Sequence, residues 1–411
     1  MEQMRLFNDH WSFLKTELGT EPEQIRGREA EFQPVDLPHD WLIYNTRNLY
    51  ENSTGWYRKC VVVCHRGQAD AAAQRMAVPG ELPILPGQRV ILRFDGVYMD
   101  STFYVNGEKA GDWKYAYSAF DYDITEYLCP GENELLMQVR HQSPNSRWYS
   151  GAGIYRNVWL KVCPAVYLPL DGTYVHTVWQ QETGDYLLEA ETECAGAVNE
   201  NICCRYSLWR QGKPVRELGL GSLSVREDGQ TCFTLNAVLS GLEEWDLDNP
   251  VCYQLLVELT DSACAGTRQQ AADQSGPEVM DSQRITIGLR RMEFTPDRGF
   301  YLNGKYVKVH GVCEHHDLGC LGAAFHKEAM ARKFRILKEM GVNALRTSHN
   351  MPAQEVMELA DEMGILVLSE AFDMWERSKT PYDYARFFKE WAQRDVRSWI
   401  RRDRNHPSLF L

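Results

Sequence analysis

The strongest periodicity lies in the last quarter of the chain, where short apolar runs alternate with helical stripes. VKVHG at 307–311 reads as a strand, and Met330, Phe334, Leu337 and Met340 then fall at the spacing of one helical face, predicting a helix over 327–340. The unit repeats with VNALR at 342–346 as a strand and Val356, Leu359, Ala360 and Met363 as a second helical stripe. ILVLS at 365–369 has the continuous apolar character of a parallel strand covered on both faces. A longer helix is predicted over 384–402, with Phe388, Ala392, Val396 and Trp399 on one side, and SLFL begins a fourth strand. Strands alternating with helices imply a parallel sheet, either doubly wound or closing into a (β/α)8 barrel.

The rest of the chain has strand periodicity. Up to about residue 165, CVVVC (60–64), RVILRF (89–94), STFYVNG (101–107), NELLMQV (133–139) and NVWLKV (157–162) are separated by Gly, Pro and Asn, as in a sandwich or jelly roll. Asn106-Gly107 supplies the positive φ angles of a tight hairpin turn. From 166 to 288, TYVHTVW, DYLLEAETE, CCRYSLWRQG, TCFTLNAVL and VCYQLLVEL follow the rhythm of an immunoglobulin-like sandwich. Two stretches lack any period and are expected to be a surface loop (65–88) and a hairpin insertion (261–282). The expected organisation is therefore a jelly-roll domain at 1–165, an immunoglobulin-like domain at 166–288 and a partial TIM barrel at 289–411, with about four strands and three helices.

Composition changes this picture little. The 44% hydrophobic and 25% charged residues are ordinary for a globular protein, and the net charge of −13 argues against nucleic acid or an anionic membrane as partner. Twelve scattered cysteines without a C-x-x-C pair read as free thiols of a reducing compartment. The start has no apolar core of signal-peptide length and no run of 18 apolar residues occurs, so a cytoplasmic location is expected.

Polar residues cluster just beyond the carboxyl ends of the barrel strands, where barrel enzymes carry their chemistry: Glu314, His315, His316 and Asp317, then Thr347, Ser348, His349 and Asn350, then Glu370 and Asp373. No Gly-rich phosphate loop follows a strand. Of the many aromatics before residue 165, most are expected to fill the sandwich core. Trp148 and Tyr149 differ, because SRWYSGAGIYR is too glycine-rich and polar for an internal strand and reads as a loop that offers flat rings to a sugar.

Several stretches together resemble one family, the glycoside hydrolases of family 2, grouped with bacterial β-galactosidase and β-glucuronidase. They are LPHDW (37–41), GWYRK (55–59), FDGVY with YVNGEKAG (94–111), FDYDIT (120–125), SRWYSGAGIYRNVWL (146–160), FYLNGKYVKVHGVCEHHD (300–317), LKEMGVNALRTSHNMP (337–352) and RRDRNHPSLFL (401–411). The resemblance implies a retaining exo-glycosidase with two carboxylates about 5 Å apart. The acid/base glutamate would end strand four and the nucleophile strand seven, so both are expected beyond Leu411 and the chain alone is expected to be inactive. It also implies that His315 and His349 hold sugar hydroxyls and that Arg346 supports the nucleophile, with Asn350, Glu370, Asp373, Trp148 and Arg147 as further substrate-binding positions. Two departures weaken any metal requirement: Arg147 replaces an aspartate associated with sodium, and Met374 and Glu376 replace a Glu-x-His pair associated with magnesium.

EHHDLGCLGAAF and SEAFDMW favour a β-galactoside substrate, with β-glucuronide as the alternative; a homo-oligomer is compatible with the full-length protein. Two other readings stay open, a non-catalytic carbohydrate-binding fragment and a self-sufficient pair formed by Glu314 and Glu370. A barrel sheet with two open edges offers unpaired backbone groups. The 411-residue chain on its own is therefore expected to aggregate or to bind hydrophobic dyes, and a monodisperse monomer that melts as one cooperative unit would count against this.

Overall fold

The computed structural model describes residues 4–65, 80–261 and 278–411. The first sandwich pairs a four-stranded sheet (Met4–Leu6, Val158–Cys163, Arg89–Phe94 and Phe120–Asp123, in spatial order) with a seven-stranded sheet built on Ser53–His65 and Gly131–His141. Alternate residues such as Tyr57, Leu92, Phe103, Met137 and Leu160 point inward and make its core. Asn106 and Gly107 have φ of 53° and 81°, the geometry expected of that hairpin turn. The loop expected at 65–88 is corrected at its end, where Glu81–Ile84 pairs in parallel with Ser53–His65; 66–79 lie outside the described residues.

A second two-sheet sandwich follows, with Thr173–Gln180, Asp185–Cys194, Thr231–Leu239 and Ser222–Val225 in one sheet and Lys213–Leu220, Ile202–Arg210, Tyr253–Asp261 and Val279–Ile287 in the other. Lys213–Leu220 and Ser222–Val225 escape sequence reading because they are exposed edge strands without an apolar alternation. Of the insertion expected at 261–282, residues 262–277 lie outside the described ones, and its end already belongs to the strand Val279–Ile287.

Beyond the small hairpin of Met292–Thr295 and Gly299–Leu302, three parallel strands form the barrel sheet: β1 (Gly311–Glu314), β2 (Ala344–Thr347) and β3 (Leu366–Leu368). Helices α1 (Lys327–Glu339), α2 (Gln354–Met363) and α3 (Phe388–Asp403) alternate with them. Leu409 bridges Val367 in parallel, the start of a fourth strand. Strand β1 begins at Gly311, not at Val307. The side chain of Asn343 accepts from the His310 N–H (2.7 Å) and donates to the Lys308 carbonyl (2.9 Å), while the Asn343 backbone N–H donates to the His310 carbonyl (2.9 Å), so a side chain takes two of the places where ladder partners are expected. Leu345 and Val367 pack beneath the helices with Phe334 and Met357. The intervening positions, among them Cys313 and Arg346, which are register partners, face the opposite side.

The RRDRNHP stretch is structural. His406 bonds Asp361 of α2 (2.5 Å), Arg402 donates to Asp403 and to the Pro352 carbonyl, and Arg401 forms a two-bond pair with Glu193 of the second sandwich. The eleven cysteines among the described residues are unpaired, four of them exposed. No helix among the described residues is long and apolar enough to cross a membrane.

The first sandwich also meets the barrel at Glu355, in the first turn of α2. Its carboxyl is buried, accepts from Asn157 Nδ2 through Oε1, and leaves Oε2 without a partner among the described residues. Burial pushes it from 4.5 up to about 7, with the Asp95 carboxylate adding to the rise and Arg156 opposing it. The native state therefore holds this proton more tightly than the unfolded chain, so the group's stabilising contribution is complete below about pH 4.5 and is lost as pH rises through 7. Relative to the parent, Glu355→Gln should gain about 2 kcal/mol of stability between pH 5 and pH 8 in urea unfolding of the full-length protein. A difference that stays constant with pH would refute the assignment.

Candidate active site

The site forms where a loop of the first sandwich meets the carboxyl ends of β1 to β3. Trp148 stacks on His315, with ring centroids 4.9 Å apart and planes 15° apart, and lies tilted 5.6 Å from His349. His315 and His349 are 5.7 Å apart. A narrow cleft runs beside them, lined by Trp148, His349, Asn350 and Asp373 from the predicted set and by Tyr98 and Tyr117 of the sandwich.

Backbone geometry sets the chemistry of each ring. His315 Nδ1 lies 2.7 Å from the Ser348 carbonyl, which can only accept, so Nδ1 carries a proton and Nε2 is the nitrogen left to accept in the uncharged tautomer. His316 Nε2 donates to the Ser150 carbonyl (2.9 Å). Burial lowers His316 to about 4, so it is neutral at ordinary pH and packs among Tyr98, Tyr117 and Tyr155 as part of the junction between sandwich and barrel. Asn350 is buried, and its Nδ2 has no hydrogen-bond partner among the described residues, leaving a donor beside the cleft.

Arg346 lies at the centre of a charged set. Its Nε donates to Glu370 Oε1 at 2.5 Å, and Glu370 Oε2 is 3.1 Å from His349 Nδ1, which also faces Arg346 Nη2 at 3.2 Å. His349 Nδ1 can donate to the first or accept from the second. Glu370 is further fixed through its own N–H, which donates to Thr347 Oγ1 (3.0 Å). Glu314, one register position beyond Cys313, turns instead to Lys333 of α1 at 2.6 Å. Glu314 and Glu370 thus share no hydrogen-bond partner.

Two other expectations change. Arg147 does not stand free for a substrate: Nη2 donates to Asp373 Oδ1 at 2.6 Å, and Lys379 Nζ reaches the same oxygen at 2.8 Å. Burial pushes the Asp373 carboxyl up, but the bonds from Arg147 and Lys379 outweigh it and hold it below its ordinary value. Tyr149 points away from the cleft and donates to Asp40 at 2.6 Å. Asp40 and Lys379 escape sequence reading; Asp40 stands in the quoted LPHDW motif, whereas nothing near Lys379 marks it.

Among the described residues no group of three or more His, Cys, Asp or Glu side chains is spaced to hold a metal ion. Sodium or magnesium does not fit at Arg147 and Asp373, because two cationic side chains already neutralise the one carboxylate there.

Residues 295–411 match the TIM barrel domain of glycosyl hydrolases family 2, and residues 73–164 match the sugar binding domain of the same family. The chain belongs to glycosyl hydrolase family 2. It is 38% identical, over 98% of its length, to beta-galactosidase BoGH2A of Bacteroides ovatus, of which it spans 45%. It is 25% identical to a beta-glucuronidase of Bacteroides fragilis, again over 98% of its own length and across 55% of that protein. A solved family 2 member from Bacteroides cellulosilyticus superposes with a TM-score of 0.83 at 30% identity, covering 99% of this chain and 51% of that one. The chain thus spans about half the length of these family 2 relatives.

Proposed function

We propose that the full-length protein containing this chain is a retaining exo-glycosidase that removes terminal β-D-galactosyl residues, and that this chain builds one side of its sugar pocket. The supporting observation is the cleft lined by Trp148, His349 and Asn350, with His315 stacked on Trp148 and Arg346 against His349. A flat ring, an imidazole acceptor and an unpaired amide donor suit a pyranose, which offers an apolar face and a rim of hydroxyls. Arg346 supports a carboxylate nucleophile by keeping it charged. In this reading Glu370 and Asp373, each bonded to cations, bind and position, and neither is one of the two reacting carboxylates. The reacting pair comes from elsewhere in the full-length protein, as family 2 membership leads one to expect.

A second reading, β-glucuronidase, draws on one observation. Arg147 and Lys379 share a single carboxylate, so the rim at Asp373 carries one surplus positive charge that a uronic acid would meet favourably. Steady-state assay of the full-length protein on aryl β-galactoside and aryl β-glucuronide separates the two. We expect at least tenfold higher kcat/KM on the galactoside, and a loss of roughly 100-fold in Arg346→Met. Turnover of the glucuronide alone would reverse the substrate assignment. Activity in the isolated 411-residue chain that disappears in Glu370→Gln would place the reacting carboxylates inside it and overturn the proposal.

A further inference from the structure

We propose that Asp373 is a positioning residue: with Arg147 and Lys379 it forms a charged clasp that seats the Trp148 loop of the first sandwich against His315 and so fixes one wall of the cleft. The geometric part stands by itself, and the consequence for sugar binding rests on the function proposed above.

The hydrogen-bonding capacity of Asp373 is largely used. Oδ1 accepts from Arg147 Nη2 (2.6 Å) and Lys379 Nζ (2.8 Å), and Oδ2 faces Arg147 Nε at 3.4 Å. The side chain is 4% exposed, whereas those of Arg147 and Lys379 are 52% and 42% exposed. A buried carboxylate already bonded to two cations has little left to offer a sugar hydroxyl. Burial would raise its carboxyl, but the bonds from Arg147 and Lys379 hold it below its ordinary value, which favours the charged form that the clasp uses.

The connection to Trp148 is through the chain. Arg147 and Tyr149 flank Trp148 on either side, and each is tied to a carboxylate. Arg147 binds Asp373 of the barrel loop after β3, and Tyr149 binds Asp40, whose Oδ2 also accepts from the Ala323 N–H of the barrel at 2.9 Å. The ring between them has one weak polar contact of its own, Nε1 to Tyr117 Oη at 3.3 Å. Its orientation over His315 is thus set chiefly by its two neighbours. The barrel side is braced as well: Asp383 accepts from the backbone N–H groups of Lys379 (2.6 Å) and Thr380 (2.8 Å), and Lys379 Nζ also reaches the Asp373 carbonyl. Removing the charge at Asp373 frees Arg147 while leaving the Tyr149 anchor intact, so the loop loosens without the sandwich detaching.

The test uses the full-length protein and the variants Asp373→Asn, Trp148→Ala, the double variant, and Arg147→Lys as the conservative change. Amide hydrogen exchange in residues 146–150 should quicken about tenfold in Asp373→Asn while the strands of the first sandwich keep their rates, with Arg147→Lys in between. On an aryl β-glycoside, Asp373→Asn should raise KM about tenfold and lower kcat less than threefold, the pattern of lost uniform binding. The double variant should be no worse than Trp148→Ala, because the two residues act through one wall. Unchanged exchange at 146–150 would overturn the clasp. Effects that multiply in the double variant would make Asp373 a direct sugar ligand and overturn it too. A parent protein without glycosidase activity would defeat the proposed function instead, and the exchange measurement would still decide the clasp.

Discussion

The site depends on one buried carboxylate that holds two folding units in register. Asp40 is 1% exposed and accepts four hydrogen bonds: from the N–H groups of Leu42 (3.1 Å) and Ala152 (3.0 Å) at Oδ1, and from Tyr149 Oη (2.6 Å) and the Ala323 N–H (2.9 Å) at Oδ2. A charge so buried is tolerated only when its lone pairs are filled, and here they are filled from both the sandwich and the barrel. Two glycines permit the approach. At Gly322 (φ 62°) a Cβ would stand 2.4 Å from Asp40 Oδ2, and at Gly151 (φ 70°) it would stand 2.4 Å from the Cβ of Ala323. The SGAG and LGAA stretches therefore matter because they let two backbones touch one carboxylate.

Strand alternation then sorts the functional side chains. On β2, Leu345 goes under the helices and Arg346 goes to the other face, where Glu370 and His349 meet it. On β1 the same alternation sends Glu314 to Lys333 of α1. Two glutamates that look equivalent in sequence, each at the carboxyl end of a barrel strand, thus end in different environments. Glu314 is taken up by a helix, while Glu370 meets Arg346 and His349.

Much of the architecture was legible because it is periodic. The helical stripes at Met330–Phe334–Leu337 and Val356–Leu359–Ala360 are local, and α1 and α2 lie where those stripes put them. Strand β1 was misplaced because Asn343, more than thirty residues later, supplies the partners of His310 and Lys308. The site was legible in part. Residue type and place marked His315, His349 and Trp148, but Arg147 was assigned to substrate while its partner Asp373 lies 226 residues away. Long-range ion pairs leave no local trace, so sequence identifies the groups and not their engagements. Lys379, inside a polar loop, has no pattern that could have found it.

These engagements bear on whether the first sandwich could act as a free-standing carbohydrate-binding module. Its two sheets enclose Leu92, Phe94, Phe103 and Met137 between them, but Tyr98, Tyr115, Tyr117 and Tyr155 pack in one cluster with Ala323, Met351, Phe372 and Tyr384 of the barrel. Its cleft-facing surface requires the barrel as well. Trp148 takes its place from Arg147 bonded to Asp373 and Tyr149 bonded to Asp40, and Asp40 shares an oxygen with Ala323. Arg156 crosses the same boundary, donating to Tyr117 within the sandwich (2.8 Å) and to the Met351 carbonyl of the barrel (2.9 Å). Apart from the barrel, the sandwich would expose those tyrosines and lose the orientation of Trp148, together with the His315 face on which that ring stacks. The geometry therefore favours a single pocket shared between sandwich and barrel over a binding module joined to an enzyme.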